Sequence, residues 1–218
     1  MSTASNSQIH INTRRLEQIC AAAPVIPVLT LDNAEQALGV CTALVKGGLK
    51  VLEITLRNDY GLHAIKQLKQ ALPEAIIGAG TVLTPQQYQA CIDAGADFIV
   101  SPGCTSDLLT YGSQSTVPLL PGIASVSEAM QAMTLGYRRF KLFPAAVVGG
   151  IDALKAFAGP LSQLKFCPTG GIKATNAADY LALDNVMCVG GTWLTPEALV
   201  EAKDWPAIQQ LAVQAAAM

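Results

Sequence analysis

Short apolar runs alternate with helix-like stretches along almost the whole chain, and this alternation constrains the fold more than any other feature. The runs cover residues 25–31, 49–56, 75–83, 97–101, 117–120, 138–143, 165–168 and 186–189. Helix signals fill the gaps. Asp32 reads as an N-cap, and Gly47–Gly48 as the stop of the stretch it opens. Pro73 closes the second helix, and Thr84–Pro85 opens the third with a cap and a first-turn proline. Ser106 starts a short helix, and Ser125 or Ser127 caps the next. Later helices are expected over residues 150–158, from near Ala174 and from Pro196. Parallel strands need helical crossovers, so eight such units predict a parallel sheet. They predict closure into a (β/α)8 TIM barrel, the alternative being an open, doubly wound sheet. A chain of 218 residues suits one barrel, which typically takes about 200–250. Residues 1–218 read as a single domain, with residues 1–11 a loose terminus and an extra N-terminal helix over 12–23, outside the repeat.

Composition agrees. Hydrophobic residues make up 51% of the chain and charged residues 14%, the balance that inner and outer apolar layers require and that a disordered chain lacks. The net charge of −2 comes with no Lys/Arg run, which argues against nucleic-acid binding. No apolar run approaches the ~20 residues of a membrane span, and the first residues lack the apolar core of a signal peptide. Cysteines at 20, 41, 91, 104, 167 and 188 show no CxxC spacing, so reduced thiols in a cytoplasm are expected. His10 and His63 are too few and too scattered for a histidine-built metal site.

Strand parity then exposes an anomaly. Barrel strands alternate between the interior and the helix layer. In the second run Leu52, Ile54 and Leu56 share one face; Val51, Glu53, Thr55 and Arg57 share the other. In the sixth, Phe140 and Leu142 share one face and Arg139, Lys141 and Phe143 the other. Glu53 and Lys141 therefore point inward, where charges are costly unless paired or put to use. A structural ion pair is one reading. The other is catalytic: a low-dielectric surrounding disfavours an ammonium, a free amine attacks carbonyls, and a neighbouring carboxylate moves protons. Arg57 lies nearer the C-terminal end of its strand, where barrel active sites sit, and its planar fork suits a carboxylate. A surface salt bridge explains it equally well.

Other candidates cluster at strand ends. Thr81 follows the glycines of GAGTV, which let a ligand approach the backbone. Pro102 and Gly103 form a pocket wall or a turn. The seventh run leads into Thr169-Gly170-Gly171 and the eighth into Gly190-Gly191-Thr192. Adjacent glycine-rich loops at the last two strands suit a phosphate, with backbone N–H groups and helix N-termini facing it. Cys104 reads as an inert thiol, Trp193 and Trp205 as packing residues, and Gly149–Gly150 as a turn or helix entry.

With these motifs assembled, IPVLT, LEITLR, GAGTV, SPG, FKLFPA, CPTGGI and GGTWL, the chain resembles the bacterial 2-keto-3-deoxy-6-phosphogluconate (KDPG) and 4-hydroxy-2-oxoglutarate aldolases over nearly its whole length. The resemblance implies a class I aldolase that forms pyruvate and glyceraldehyde 3-phosphate, or pyruvate and glyoxylate from 4-hydroxy-2-oxoglutarate, with no cofactor or metal. It implies Lys141 as the Schiff-base lysine and Glu53 as the general acid/base. Arg57 and Thr81 would hold the pyruvate carboxylate, with Pro102 and Phe143 as pocket walls. Thr169, Gly170, Gly171, Gly190, Gly191 and Thr192 would meet the sugar-phosphate end. The family often has Ser in place of Thr192; the hydroxyl is kept and a methyl added. Homotrimers are implied too. The C4 epimer, 2-keto-3-deoxy-6-phosphogalactonate, is an alternative substrate. An isomerase or epimerase on the same barrel would use a carboxylate or cysteine base, and the interior lysine speaks against it. A non-catalytic sugar-phosphate sensor would bind without turnover.

Overall fold

The computed structural model describes residues 3–218, with side chains from Ser7 onward. Its strands are β1 (Val25–Leu29), β2 (Val51–Thr55), β3 (Ile76–Gly80), β4 (Phe98–Val100), β5 (Leu119–Leu120), β6 (Gly122–Ile123), β7 (Arg139–Leu142), β8 (Lys165–Pro168) and β9 (Val189–Gly191). The helices are α1 (Thr3–Ala21), α2 (Ala34–Lys46), α3 (Gly61–Ala71), α4 (Pro85–Asp93), α5 (Ser106–Gln114), α6 (Val126–Met133), α7 (Gly150–Ala158), α8 (Ala177–Leu181), α9 (Glu197–Glu201) and α10 (Trp205–Ala216). Every strand pair is parallel. The fold is α/β, with the strands in a curled layer inside the helices.

The ladders do not run unbroken around eight strands, as the alternation predicts. They form a six-stranded sheet, β5-β4-β3-β2-β1-β9, and a three-stranded sheet, β6-β7-β8. One seam lies at Pro121, which has no N–H to donate. The chain pairs with β4 before that proline and with β7 after it. At the other seam β8 and β9 meet only through the bridges Phe166–Val186 and Thr169–Gly190. The eighth run also shifts. The strand expected over 186–189 forms at Val189–Gly191, because Gly190 and Gly191 pair with Ile26 and Pro27 of β1 instead of turning away.

Local signals place most helices. Thr84 caps α4, with Pro85 at its first position, and Ser125 forms a capping box with Glu128 at α6. Asn33, not Asp32, caps α2, its side chain accepting from the Gln36 N–H at 3.0 Å. Residues 3–11, expected within a loose terminus, are helical: α1 begins at Thr3, and Met1 and Ser2 of that stretch lie outside the described residues. Ile9 packs against Gly136, and Asn12 donates to the Ser115 carbonyl at 2.8 Å, which anchors this early stretch on the body.

Two apolar clusters divide the molecule as parity requires. The outer one joins Leu52, Ile54, Phe140, Leu142 and Phe166 to the surrounding helices. The inner one joins Ile26, Val51, Phe98, Val100, Leu120, Cys167 and Cys188 to Leu16, Ile19 and Cys20 of α1. Helix α1 thus covers the N-terminal end of the strand layer. Among the described residues no helix is long and apolar enough to cross a membrane.

Candidate active site

Lys141 and Glu53 meet inside the strand layer. The Lys141 Nζ donates to Glu53 Oε1 at 3.1 Å, and the residues are only 5% and 4% exposed. Their orientation follows from their neighbours. On β7, Phe140 and Leu142 are fully buried among the helices. Arg139, on the inward parity, reaches Glu17 of α1. A one-residue slip would drive Arg139 and Lys141 into the apolar helix layer, so the register is strongly specified. On β2, Leu52 and Ile54 face outward and Val51 inward, which leaves Glu53 inside.

Glycines make room for the pair. Gly80 lies on β3 beside Glu53, and a Cβ added there would overlap the Glu53 carboxylate. Gly122 is the register partner of Lys141 on β6, and a Cβ there would strike the backbone of Pro102. Parity alone did not single out these two glycines; the signal available for Gly80 was the run of small residues Gly78-Ala79-Gly80, and the segment around Gly122 carries no comparable one. Phe143, half-buried, sets its ring 5.3 Å from the Lys141 Nζ. Pro102, also half-buried, lies next to Gly122.

Thr81 adopts φ = +61°, a region a β-branched residue rarely enters. Such strain costs on the order of 1–3 kcal/mol and concentrates at ligand sites. The Val82 N–H, bonded to the Val100 carbonyl at 3.2 Å, holds the turn in place. The Leu56 N–H bonds the Gly80 carbonyl at 2.8 Å, so the segments carrying Arg57 and Thr81 are tied together at their strand ends. Arg57 is exposed and, among the described residues, makes no hydrogen bond or ion pair. Its guanidinium is available to an anion.

The last two strands bring their ends together. Thr169 is buried, and its side chain occupies the space that a Cβ on Gly190 would need. Gly170 and Gly171 have φ of +95° and +79°, both in the left-handed region. The Ala145 and Ala146 amides donate to the Thr169 and Gly170 carbonyls at 2.8 and 3.0 Å, stitching this loop to the one after Lys141. Two expectations change here. Gly190 and Gly191 belong to β9 rather than to a loop. No helix begins directly after either glycine pair. Helix α8 starts only at Ala177, because Asn176 accepts from the Lys173 N–H and donates to the Gly171 carbonyl, closing the intervening turn. Thr192 follows β9 and is exposed.

The remaining residues behave as packing elements. The rings of Trp193 and Trp205 fill the space over Gly191 and Gly39. Gly149, at φ = +100°, opens α7. Burial, and secondarily Glu128, raises the Cys104 thiol above its usual range, which disfavours a reactive thiolate. Among the described residues no group of three or more His, Cys, Asp or Glu is arranged to hold a metal.

The family model "KDPG and KHG aldolase" matches residues 16–211. The chain is 53% identical to the 2-dehydro-3-deoxy-phosphogluconate aldolase of Pseudomonas aeruginosa, over 93% of this chain and 92% of that one. It is 49% identical to the KHG/KDPG aldolase of Escherichia coli K12, over 91% and 93%. Among solved structures, the KDPG aldolase of Legionella pneumophila superposes with a TM-score of 0.90 at 47% identity, covering 92% of this chain and 97% of that one. That crystal structure holds pyruvate captured as a covalent carbinolamine intermediate. The buried lysine–carboxylate pair thus sits in a chain that, by a model matching most of its length and by relatives about half identical to it, belongs to the KDPG and KHG aldolase family.

Proposed function

We propose that this protein is a class I aldolase that reversibly cleaves 2-keto-3-deoxy-6-phosphogluconate to pyruvate and glyceraldehyde 3-phosphate, and 4-hydroxy-2-oxoglutarate to pyruvate and glyoxylate. The observation that carries this reading is the Lys141 amine, buried in the strand layer with the Glu53 carboxylate 3.1 Å away. Glu53 takes the proton that Lys141 must lose to become a nucleophile. Lys141 attacks the C2 ketone, and Glu53 returns a proton as water leaves the carbinolamine. The protonated imine draws electrons from the C3–C4 bond, which breaks as the C4 hydroxyl gives its proton to the Glu53 carboxylate. The aldehyde departs, Glu53 passes its proton to C3 of the enamine, and water releases pyruvate. Arg57 and Thr81 hold the substrate carboxylate, which fixes C2 near its attack geometry. Pro102 and Phe143 wall the pocket. Thr169, Gly170, Gly171, Gly190, Gly191 and Thr192 receive the phosphate end through backbone N–H groups and hydroxyls, without a helix dipole. The residues themselves supply all the proton transfers, so no cofactor or metal enters the scheme.

The same reading takes the two sheets as one closed (β/α)8 barrel forming a single domain. Two observations support closure: only Pro121 separates β5 from β6, and two bridges span β8 and β9. It takes the enzyme as a cytoplasmic homotrimer acting on a small phosphorylated keto sugar acid. Six free cysteines, five of them buried, support a reducing compartment.

Borohydride with pyruvate tests the central claim. It should add a stable pyruvate-derived mass at Lys141; an unmodified lysine after reduction would refute the imine. Two variants probe the surroundings. Gly80→Ala pushes on the Glu53 carboxylate, and a misplacement of about 1 Å costs roughly 10²-fold in rate. Its kcat should fall by about that factor while circular dichroism stays unchanged. Arg57→Ala removes a charge-assisted hydrogen bond, so kcat/KM should fall roughly 10- to 100-fold, mainly through KM. Steady-state kinetics on both substrates measures each effect.

A further inference from the structure

Arg57 sits on a loop held from two sides. Before it, the Leu56 N–H is tied to the Gly80 carbonyl at the end of β3. After it, the Asn58 side chain reaches the other way, past the end of β1. Its Nδ2 donates to the Leu31 carbonyl at 3.0 Å and to the Asp32 Oδ1 at 2.9 Å. β2 lies between β3 and β1, so the two ties run to opposite neighbours. Closer to the strands, the hydroxyls of Thr30 and Thr55 join β1 to β2 at 2.9 Å. Asn58 carries that seam on into the loops.

The chemistry of the tie is specific. Both partners are acceptors, so the group between them must donate twice, as an amide nitrogen does. Turned over, the amide would set its oxygen against two others. As placed, the Asn58 Oδ1 is buried with no hydrogen-bond donor among the described residues. That is costly, and the two donated bonds must outweigh it. One of them is charge-assisted, because it ends on a carboxylate. Asp32 is free to accept it because Asn33 caps α2. The entry of α3 offers no substitute: Tyr60, before it, makes no side-chain cap bond. The Gly61 N–H instead reaches back to the Asn58 carbonyl at 3.5 Å.

We propose that Asn58 is a positioning residue: by tying the loop after β2 to Leu31 and Asp32, it holds Arg57 where the guanidinium meets the substrate carboxylate. This rests on the aldolase reading above and on the role that reading gives Arg57. The test is a double-mutant cycle with wild type, Asn58→Ala, Arg57→Ala and the double variant, cleaving KDPG and 4-hydroxy-2-oxoglutarate. Asn58→Ala should raise KM about three- to tenfold, the range of one such hydrogen bond, with kcat nearly unchanged. The shift should be equal on the two substrates, which share the carboxylate and differ at the other end. In the Arg57→Ala background the same change should add less than about twofold, because the two residues act as one. Asp32→Ala, at an exposed residue, removes one acceptor and should shift KM the same way by less. It serves as the readout should circular dichroism show Asn58→Ala misfolded. Losses that multiply in the double variant, a loss confined to kcat, or an unchanged KM in Asn58→Ala or Asp32→Ala overturns the assignment. If Arg57→Ala is itself silent, the carboxylate role and this inference fall together while the imine chemistry stands. If the wild type cleaves neither substrate, it is the aldolase reading that fails.

Discussion

A Lys141→Arg variant is expected to fold normally and to lose at least about 10⁴-fold in kcat/KM. The loss follows from chemistry: a guanidinium stays charged and forms no imine, so the covalent route closes. Removing a nucleophile from a working constellation costs on that order or more. The choice of arginine follows from burial. Lys141 and Glu53 are nearly sealed from solvent and bonded at 3.1 Å. Removing one partner of such a pair leaves an uncompensated charge and costs about 3–5 kcal/mol. Lys141→Met would therefore confuse loss of chemistry with loss of stability, whereas arginine retains the charge. Circular dichroism and thermal melting check the fold, and a coupled pyruvate assay checks turnover. Borohydride with pyruvate should add no mass to the variant. Residual activity above about one per cent would remove Lys141 from the mechanism.

Glu53→Gln should lower kcat by about 10²- to 10⁴-fold, the usual contribution of a positioned acid or base. Glutamine matches the shape and its amide oxygen still accepts from the Lys141 Nζ, but it cannot carry a proton through the cycle. Two readouts separate this from a structural effect. Exchange of the pyruvate methyl protons with deuterated solvent should slow in parallel with cleavage, because both pass through protonation at C3. Borohydride trapping should still label Lys141, more slowly. Exchange at the wild-type rate in a folded Glu53→Gln enzyme would reassign the acid/base to another group.

Much of the candidate site's geometry was legible in the sequence. Period-two alternation is local, so residues 51–57 and 138–143 could be split into faces from sequence, and the structure keeps those faces. The caps Thr84 and Ser125 were legible for the same reason: they act within one turn of chain. Features set by distant partners were not. Gly190–Gly191 carries a turn signal, yet pairing with β1 makes it a strand. Residues 1–11 read as loose because Ile9 and Asn12 find their contacts at Gly136 and Ser115, far along the chain. A helix was expected near Ala174, but the Asn176 side chain holds the preceding turn and delays it.

By itself the sequence determined which residues enter the strand layer. A strand slipped by one residue would bury Arg139 and Lys141 among helices and turn Phe140 and Leu142 inward, so hydrophobic pattern alone chose the register. It also determined the chemistry on offer, one amine and one carboxylate. Only the tertiary structure decided that they touch. Eighty-eight residues separate Glu53 from Lys141 in the chain. Their separation in space depends on sheet curvature, on side chains absent at Gly80 and Gly122, and on α1 covering the floor beneath them. The Thr30–Thr55 pair has the same origin: neither threonine is conspicuous alone, and only the register of β1 against β2 brings their hydroxyls to 2.9 Å.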